Sequence, residues 1–436
     1  MTVTLNTTIW DLLLPKQPSV LTHSNVWLPK VLALAPVGAK DWHADDIIRS
    51  LYETVFASRA QTFFLSKSCN PLHSVKFDKD GSLSAPPNMT CFEEALGYVD
   101  QHSPLGNSQF ISIPNMWLGG DHAFASSWKG LTIFAADGHT LTPAFKTGFG
   151  AVTRAYLSLL RKRGIPAESR EIKLVDEPDW KKAGALAQCL SLFGFVRSLC
   201  AEEDGCCIRT SGTLPIPPEV LSLLGPSDIW DVHSDFFTRE AAAVASSGGL
   251  KLTVYNNAAA LIDHPVSRTR AFVWQQFIER SQLVGSLSWW SDTDYAGGSA
   301  PIDPMVSPWV SDGFADKRVV NGDGALFYDP WHAPNITLAT ASSRPAAVYS
   351  SLRWENLAQG LQDYELLKQA AHAEQRLGHG LSLTRNVSQL AALVTTRFPH
   401  VQPAYDQPFT VDCRMIEWVR EQLAQLASSV RSLDVF

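Results

Sequence analysis

The sequence predicts an α/β protein built as a (β/α)8 barrel. Three observations carry this. Short apolar runs rich in β-branched residues alternate with helical stretches from the region of Val26 to that of Tyr295, as expected for βαβ units and a parallel sheet. Some seven or eight such runs fall within about 270 residues, the length of one barrel. No G-x-G-x-x-G or Walker loop occurs, whereas an open doubly wound sheet, the alternative, usually carries one after its first strand.

The chain opens with "TVTLNTTIWDLLLP", whose Thr/Val/Thr/Leu alternation reads as a strand. The strand-like "VWLPKVLALAP" is followed by the helical "ADDIIRSLYETVFASRA". "QTFFLS" and "SQFISIPNMW" are short runs, the second ending in Asn115 and Trp117. "AFKTGFGAVTRAYLSLLRKRG" is an amphipathic helix with Lys and Arg in its last turn and Gly164 as its stop. "EIKLVDEP" is the next strand, and a helix runs through "KKAGALAQCLSLFGFVRSLCA". "CCIRTSGT", "DIWDVHSDFF" and "LKLTVYNN" are further strands, then the helix "SRTRAFVWQQFIERSQ" and the strand "VGSLSWWSDTDY". Residues 300–350 are rich in Pro, Gly and Asp and form a long excursion. "SSLRWENLAQGLQDYELLKQAAHAEQRL" and "DCRMIEWVREQLAQLASSV" are closing helices.

The 436 residues are 45% hydrophobic and 18% charged, enough for a large core and too apolar for a disordered chain. A net charge of -7, with no dense Lys/Arg block, argues against a nucleic-acid partner. No segment approaches the ~20 uninterrupted apolar residues of a membrane span. No basic region followed by an apolar one marks a secretory signal. The opening in mid-strand points to sequence upstream, and the compartment stays open. The seven cysteines form no C-x-x-C pair, which disfavours a zinc or dithiol site, and their odd number disfavours a fully paired disulfide set. Neither a metal nor an organic cofactor is expected. Cys206 and Cys207 read as packed thiols rather than a vicinal disulfide.

Barrel enzymes draw their active sites from the C-terminal ends of the strands. Those ends hold Asn115 and Trp117; Asp176 and Glu177; Arg209 and Thr210; Asp231, His233 and Asp235; Tyr255, Asn256 and Asn257; and Trp289, Trp290, Asp292, Asp294 and Tyr295. Carboxylates, amides and indoles together suit a sugar, because aromatic faces pack on pyranose rings while polar groups bind hydroxyls. Taken singly, each has a plainer role. A strand-end Trp is more often packing, His233 more often structural, and Asn256-Asn257 also suits a turn.

Asp176 and Glu177 pose a geometric problem. Ordinary glycosidases place two carboxyls about 5–5.5 Å or 6.5–9.5 Å apart across the scissile bond. Neighbouring residues have Cα atoms about 3.8 Å apart, and in a strand they point to opposite faces. Such a pair does not easily flank one bond. It suits a substrate whose own 2-acetamido oxygen attacks the anomeric carbon, with one carboxylate on the amide N–H and the other protonating the leaving oxygen.

"KLVDEP", "LTVYNN", the Arg-x-x-x-Trp of "TRAFVW", "GSLSWW", "NGDGALFYDP" and "SSLRWENLAQGLQDYELL" resemble, in order, motifs of glycoside hydrolase family 123, whose catalytic domain overlaps the domain of unknown function 4091. The last is the most specific, with Ser351, Arg353, Glu355, Gly360, Asp363, Tyr364 and Glu365 in place. The likeness spans roughly residues 10 to 370. It implies a β-N-acetylgalactosaminidase-type retaining enzyme acting on a glycan with a terminal N-acetylhexosamine. In it Asp176 orients the acetamido group and Glu177 is acid, then base. Tyr255 is the candidate partner of the acetamido carbonyl, and Trp289 or Trp290 the floor under the sugar. His233, Asn256 and Asp292 are candidates for its hydroxyls, and Asn115 and Trp117 complete the substrate set. The resemblance also implies that residues 1–22 hold a remnant strand of an N-terminal β-sandwich and a linker. Residues 23–375 would then be the barrel, and 376–436 a C-terminal helical extension. Two positions depart from the family: Asp329-Pro330 replaces Pro-Gly, and Ala358 or Gln359 replaces a second Arg. Asp363 and Glu365 suit a buried ion network bracing the barrel. Two rivals remain: a conventional two-carboxylate retaining glycosidase with Asp292 as nucleophile, and a barrel that binds glycans without cleaving them.

Overall fold

The computed structural model describes residues 12–15, 18–19, 21–26, 44–61, 63, 70–103, 111–113, 118–120, 123–233, 236–255, 267–279, 286–291, 309–311, 319–321, 327–328, 349–377, 386–394 and 413–431. Seven strands form one sheet: β1 (Leu21–Val26), β2 (Ile111–Ser112), β3 (Arg170–Asp176), β4 (Cys207–Gly212), β5 (Ile229–His233), β6 (Lys251–Tyr255) and β7 (Ser286–Ser291). Their order is β1-β7-β6-β5-β4-β3-β2, and every pairing is parallel. The sheet is a curled arc of barrel type. Among the described residues no pairing joins β1 to β2, so the expected eight-stranded closure is not seen there.

Parallel strands are covered on both faces, and period-two alternation decides which residues go where. One face carries Ile172, Ile208, Trp230, Val232, Leu252 and Val254, all buried in the main hydrophobic core. Cys207 and Ile229 form a separate small cluster on the other face. That inner face is otherwise polar: Glu171, Arg209, Asp231 and Thr253 are all buried.

The helices that cover the sheet are α1 (Ala44–Ala57), α2 (Thr90–His102), α3 (Pro143–Lys162), α4 (Ala185–Glu202), α5 (Arg239–Ser247) and α6 (Ser267–Ile278). α7 (Leu352–Leu377), α8 (Val387–Val394) and α9 (Cys413–Arg431) follow. In α3, Thr142 caps the start by accepting from Phe145 N–H at 3.2 Å, and Pro143 fills the first turn. Gly164 ends this stretch at φ +73°. α4 is long and apolar enough to cross a membrane by composition; here it connects β3 to β4, with Cys189, Leu192, Phe193 and Val196 in the core. A disulfide joins Cys200 to Cys206, while Cys207 is a buried free thiol. α2, α5 and two short hairpins between Gly119 and Thr132 arise where the sequence marks no element. These segments are short or weakly periodic, and tertiary packing decides them.

The closing helices meet at Asp363, which is fully buried on α7. Arg270 Nε of α6 donates to it at 2.6 Å, Trp274 Nε1 donates at 2.9 Å, and Arg420 of α9 lies 2.7 Å away. The Arg-x-x-x-Trp spacing thus puts two donors on one face of α6. Gly360 lets α6 and α7 approach: a Cβ there would lie 2.9 Å from Val273 Cγ2. Glu365 accepts from Ser19 N–H and from Ser19 Oγ, the latter at 2.9 Å.

Residues 1–11, most of the expected remnant strand, lie outside the description; Leu12 to Pro15 have no regular structure. β1 begins at Leu21 and belongs to the main sheet.

Candidate active site

The acid pair stands at the C-terminal end of β3. A regular strand would send residues 173 and 176 to opposite faces. The pairing of β3 with β4 shifts register between Lys173 and Val175, a β-bulge. This extra residue changes the parity, and Lys173 Nζ comes to 3.2 Å from Asp176 Oδ1. Lys173 and Asp176 therefore share the inner face.

Glu177 does not continue the strand. It takes a left-handed conformation, φ +45°, which is uncommon for a residue with a side chain. Its N–H donates to Ser211 O at 2.9 Å, at the end of β4. Pro178 follows and is buried. Trp180 packs on Trp230, with ring centroids 6.3 Å apart and planes 23° apart, which anchors the loop after the pair. The turned backbone brings Glu177 to Tyr255, whose Oη donates to Glu177 Oε1. Neighbours expected to point apart thus reach one mouth, one by a bulge and the other by a left-handed turn.

Tyr255 ends β6 and is buried. Burial first, then the nearby charge of Glu177, push its phenol well above the ordinary value. The hydroxyl is a standing proton donor.

Beneath this rim lies a buried ionic layer. Arg209 donates through Nη1 to Glu171 Oε2 at 2.9 Å. It also grips Asp231 with two bonds, Nε to Oδ2 at 2.5 Å and Nη2 to Oδ1 at 2.8 Å, the bidentate geometry a guanidinium favours. Thr253 Oγ1 donates to Asp231 Oδ1. Burial opposes the Arg209 charge, but the two carboxylates outweigh it and raise its pKa.

Asp176, Glu177 and Tyr255 are thus brought together. Arg209 and Asp231, expected at the rim, lie one layer below and satisfy each other, and Thr210 is buried too. Register places His233 beside Tyr255, Trp289 beside Ser24 and Trp290 beside Asn25 by backbone; their side chains are outside the description. Asn115, Trp117, Asn256 and Asp292 lie outside the described residues, as do Asp235, Asn257, Asp294 and Tyr295. The sequence reading gave no role to Lys173 or Glu171. A charge alternating with apolar residues ahead of the acid pair is the signal that could have marked them.

No protein-family model matches the chain. No curated protein sequence matches it significantly. Solved structures do. A family 123 glycoside hydrolase from Clostridium perfringens, studied for glycolipid glycan hydrolysis, is similar at TM-score 0.56 and 13% identity, over 96% of this chain and 70% of that one. A xyloglucan-specific endo-β-1,4-glucanase of family 5 from a metagenomic library matches at TM-score 0.34 and 9% identity, over 66% of this chain and 90% of its own. The catalytic domain of CelCCA matches at TM-score 0.40 and 8% identity, over 83% and 97%. The last two overlap too loosely to carry weight. The first shows a likeness of fold alone.

Proposed function

We propose that the protein is a retaining exo-glycosidase that removes terminal β-linked N-acetylgalactosamine with help from the sugar's own acetamido group. The observation that carries the reading is the unlike partnering of two adjacent acids. Asp176 faces a cation, Lys173, at 3.2 Å, whereas Glu177 faces a neutral phenol, Tyr255. The first arrangement suits a carboxylate that holds an amide N–H in place, and the second puts Glu177 beside a hydroxyl that can be turned to the substrate.

In this reading the substrate's carbonyl oxygen attacks C1 while Glu177 gives its proton to the leaving oxygen. The C1–O bond breaks and an oxazolinium ion forms, its N–H held by Asp176. Tyr255 turns its hydroxyl from Glu177 to the carbonyl oxygen. Glu177 then takes a proton from water, the water oxygen bonds to C1, and the ring opens with net retention. Trp289 or Trp290 floors the sugar, and His233, Asn256, Asp292, Asn115 and Trp117 contact the rest of it. In the same reading the arc belongs to a (β/α)8 barrel, with Gln61 beside β1. In support, Gln61 N–H donates to Thr22 Oγ1 of β1 at 2.6 Å.

The test is hydrolysis of aryl β-N-acetylgalactosaminide, the glucosaminide and the plain galactoside, by wild type, Asp176→Asn and Glu177→Gln. The reading expects turnover of N-acetyl sugars alone, falling to a small residual rate in both variants. Turnover of the plain galactoside would mean that the acetamido group is not needed. No turnover of any sugar would favour glycan binding without cleavage.

A further inference from the structure

We propose that Lys173 is a positioning residue for Asp176, and that the bulge in β3 serves to bring the two together. The inference rests on the catalytic reading above for its kinetic readout, though its geometric part stands without it.

Three positions along a regular strand correspond to roughly 10 Å of rise and opposite faces. Lys173 and Asp176 nevertheless make a 3.2 Å contact. The register shift that permits it lies between them. With that residue's worth of slack removed, Asp176 would turn toward the helices. The lysine and aspartate side chains are 18% and 16% exposed, so their attraction is partly shielded from water.

The charges along the inner face of β3 alternate. Glu171 is tied to Arg209 below, Lys173 follows, and Asp176 sits at the rim. Two carboxylates on consecutive residues at one mouth repel. Lys173 offsets this on one side while Tyr255 occupies Glu177 on the other. Lys173 holds Oδ1 of Asp176 and so aims Oδ2 at an incoming amide N–H. Its role is exercised through Asp176 and needs no contact with substrate.

The experiment is a double-mutant cycle on an aryl β-N-acetylhexosaminide with wild type, Lys173→Met, Asp176→Asn and the double variant, joined by Lys173→Arg. Misplacement of a reacting group by about 1 Å costs on the order of 100-fold in rate, so Lys173→Met is expected to lower kcat by about that factor. KM should stay within about threefold, because ground-state binding is untouched. Lys173→Arg should recover at least about tenfold by restoring the charge, short of wild type because its head differs in shape. In the Asp176→Asn background Lys173→Met should cost nothing further. An equal loss in both backgrounds would overturn the proposal, since a merely structural lysine gives that result. If Lys173→Met fails to fold, Lys173→Gln takes its place in the cycle. If wild type prefers the plain galactoside, which offers Asp176 no amide N–H, the substrate reading fails and the position of the Asp176 carboxylate in the crystal structure of Lys173→Met decides on Lys173. If wild type turns over nothing, the crystal structure of Lys173→Met decides: a displaced Asp176 carboxylate supports the proposal, and an unmoved one overturns it.

Discussion

Arg209→Met tests the ionic layer beneath the site. Arg209 is 1% exposed and makes three contacts with carboxylate oxygens, at 2.9, 2.5 and 2.8 Å. Methionine keeps much of the volume and removes the charge. Removing one partner of a buried ion pair costs about 3–5 kcal/mol, because the remaining charge stays buried. Here one guanidinium serves both Glu171 and Asp231, so the upper end applies, about 5 kcal/mol. At about 2.1 cal/mol/K per residue, a cooperative unit of 436 residues has an unfolding entropy near 0.9 kcal/mol/K, so Tm should fall by about 5 °C. Urea titration followed by circular dichroism, with calorimetry alongside, reads both quantities. The triple variant Arg209→Met, Glu171→Gln, Asp231→Asn should be less destabilised than Arg209→Met alone, because the two carboxylate charges that faced the guanidinium are gone as well. A loss below about 1 kcal/mol, or a triple variant as unstable as the single, would refute the reasoning.

The Tyr255 phenol is held above its ordinary range by burial and Glu177. At pH 10, about the free midpoint of tyrosine, the difference in tyrosinate absorbance between wild type and Tyr255→Phe should therefore be negligible. Tyr255→Phe should also lower kcat by about 100-fold with little change in Tm, the cost of losing one preorganised donor. Gly360→Ala should destabilise by about 1–3 kcal/mol in a melt despite alanine's better helix propensity, because the added Cβ meets Val273 at 2.9 Å. Cys189 and Cys207 should resist iodoacetamide at pH 8 in the native protein and react once it is unfolded, since burial pushes the Cys189 thiol up to about 12 and the Cys207 thiol well above its usual value. Asp137 accepts from Thr140 N–H at 2.8 Å and His139 N–H at 3.0 Å in an exposed turn. The Thr140 side chain and these bonds hold its carboxyl near 2. A lowered native value stabilises the fold above the unfolded value of about 3.9, so the stability gap between wild type and Asp137→Ala should be full there and close as pH falls toward 2.

The run of β3, α4, β4, β5, β6, α6 and β7 was largely legible, because parallel strands covered on both faces read as apolar runs ended by turns. The acid pair and Tyr255 were legible for the same reason: strand ends are easy to find. The orientation of the pair was not. Strand parity sends Asp176 and Glu177 apart, and neither the bulge after Lys173 nor the left-handed Glu177 has a Gly or Asn to announce it. Arg209 and Asp231 looked like rim residues because a charge near a strand end is ordinarily exposed. Their partner Glu171 lies on another strand, and pairing across strands has no local signature. α5 escaped because "REAAAVASS" carries only small apolar groups, whose periodicity is faint.

The cluster around Asp363 bears on how the chain is made. Arg270 and Trp274 precede that aspartate, but Arg420 follows it by more than fifty positions. At about 5–20 residues per second of synthesis, those positions take roughly 3–11 s to appear. During that interval α6 and α7 exist without α9, and a carboxylate that ends fully enclosed waits for its second arginine. A stop codon placed just before Cys413 makes that interval permanent. The shortened protein, which retains every proposed catalytic residue, should be lost to proteolysis or chaperone retention.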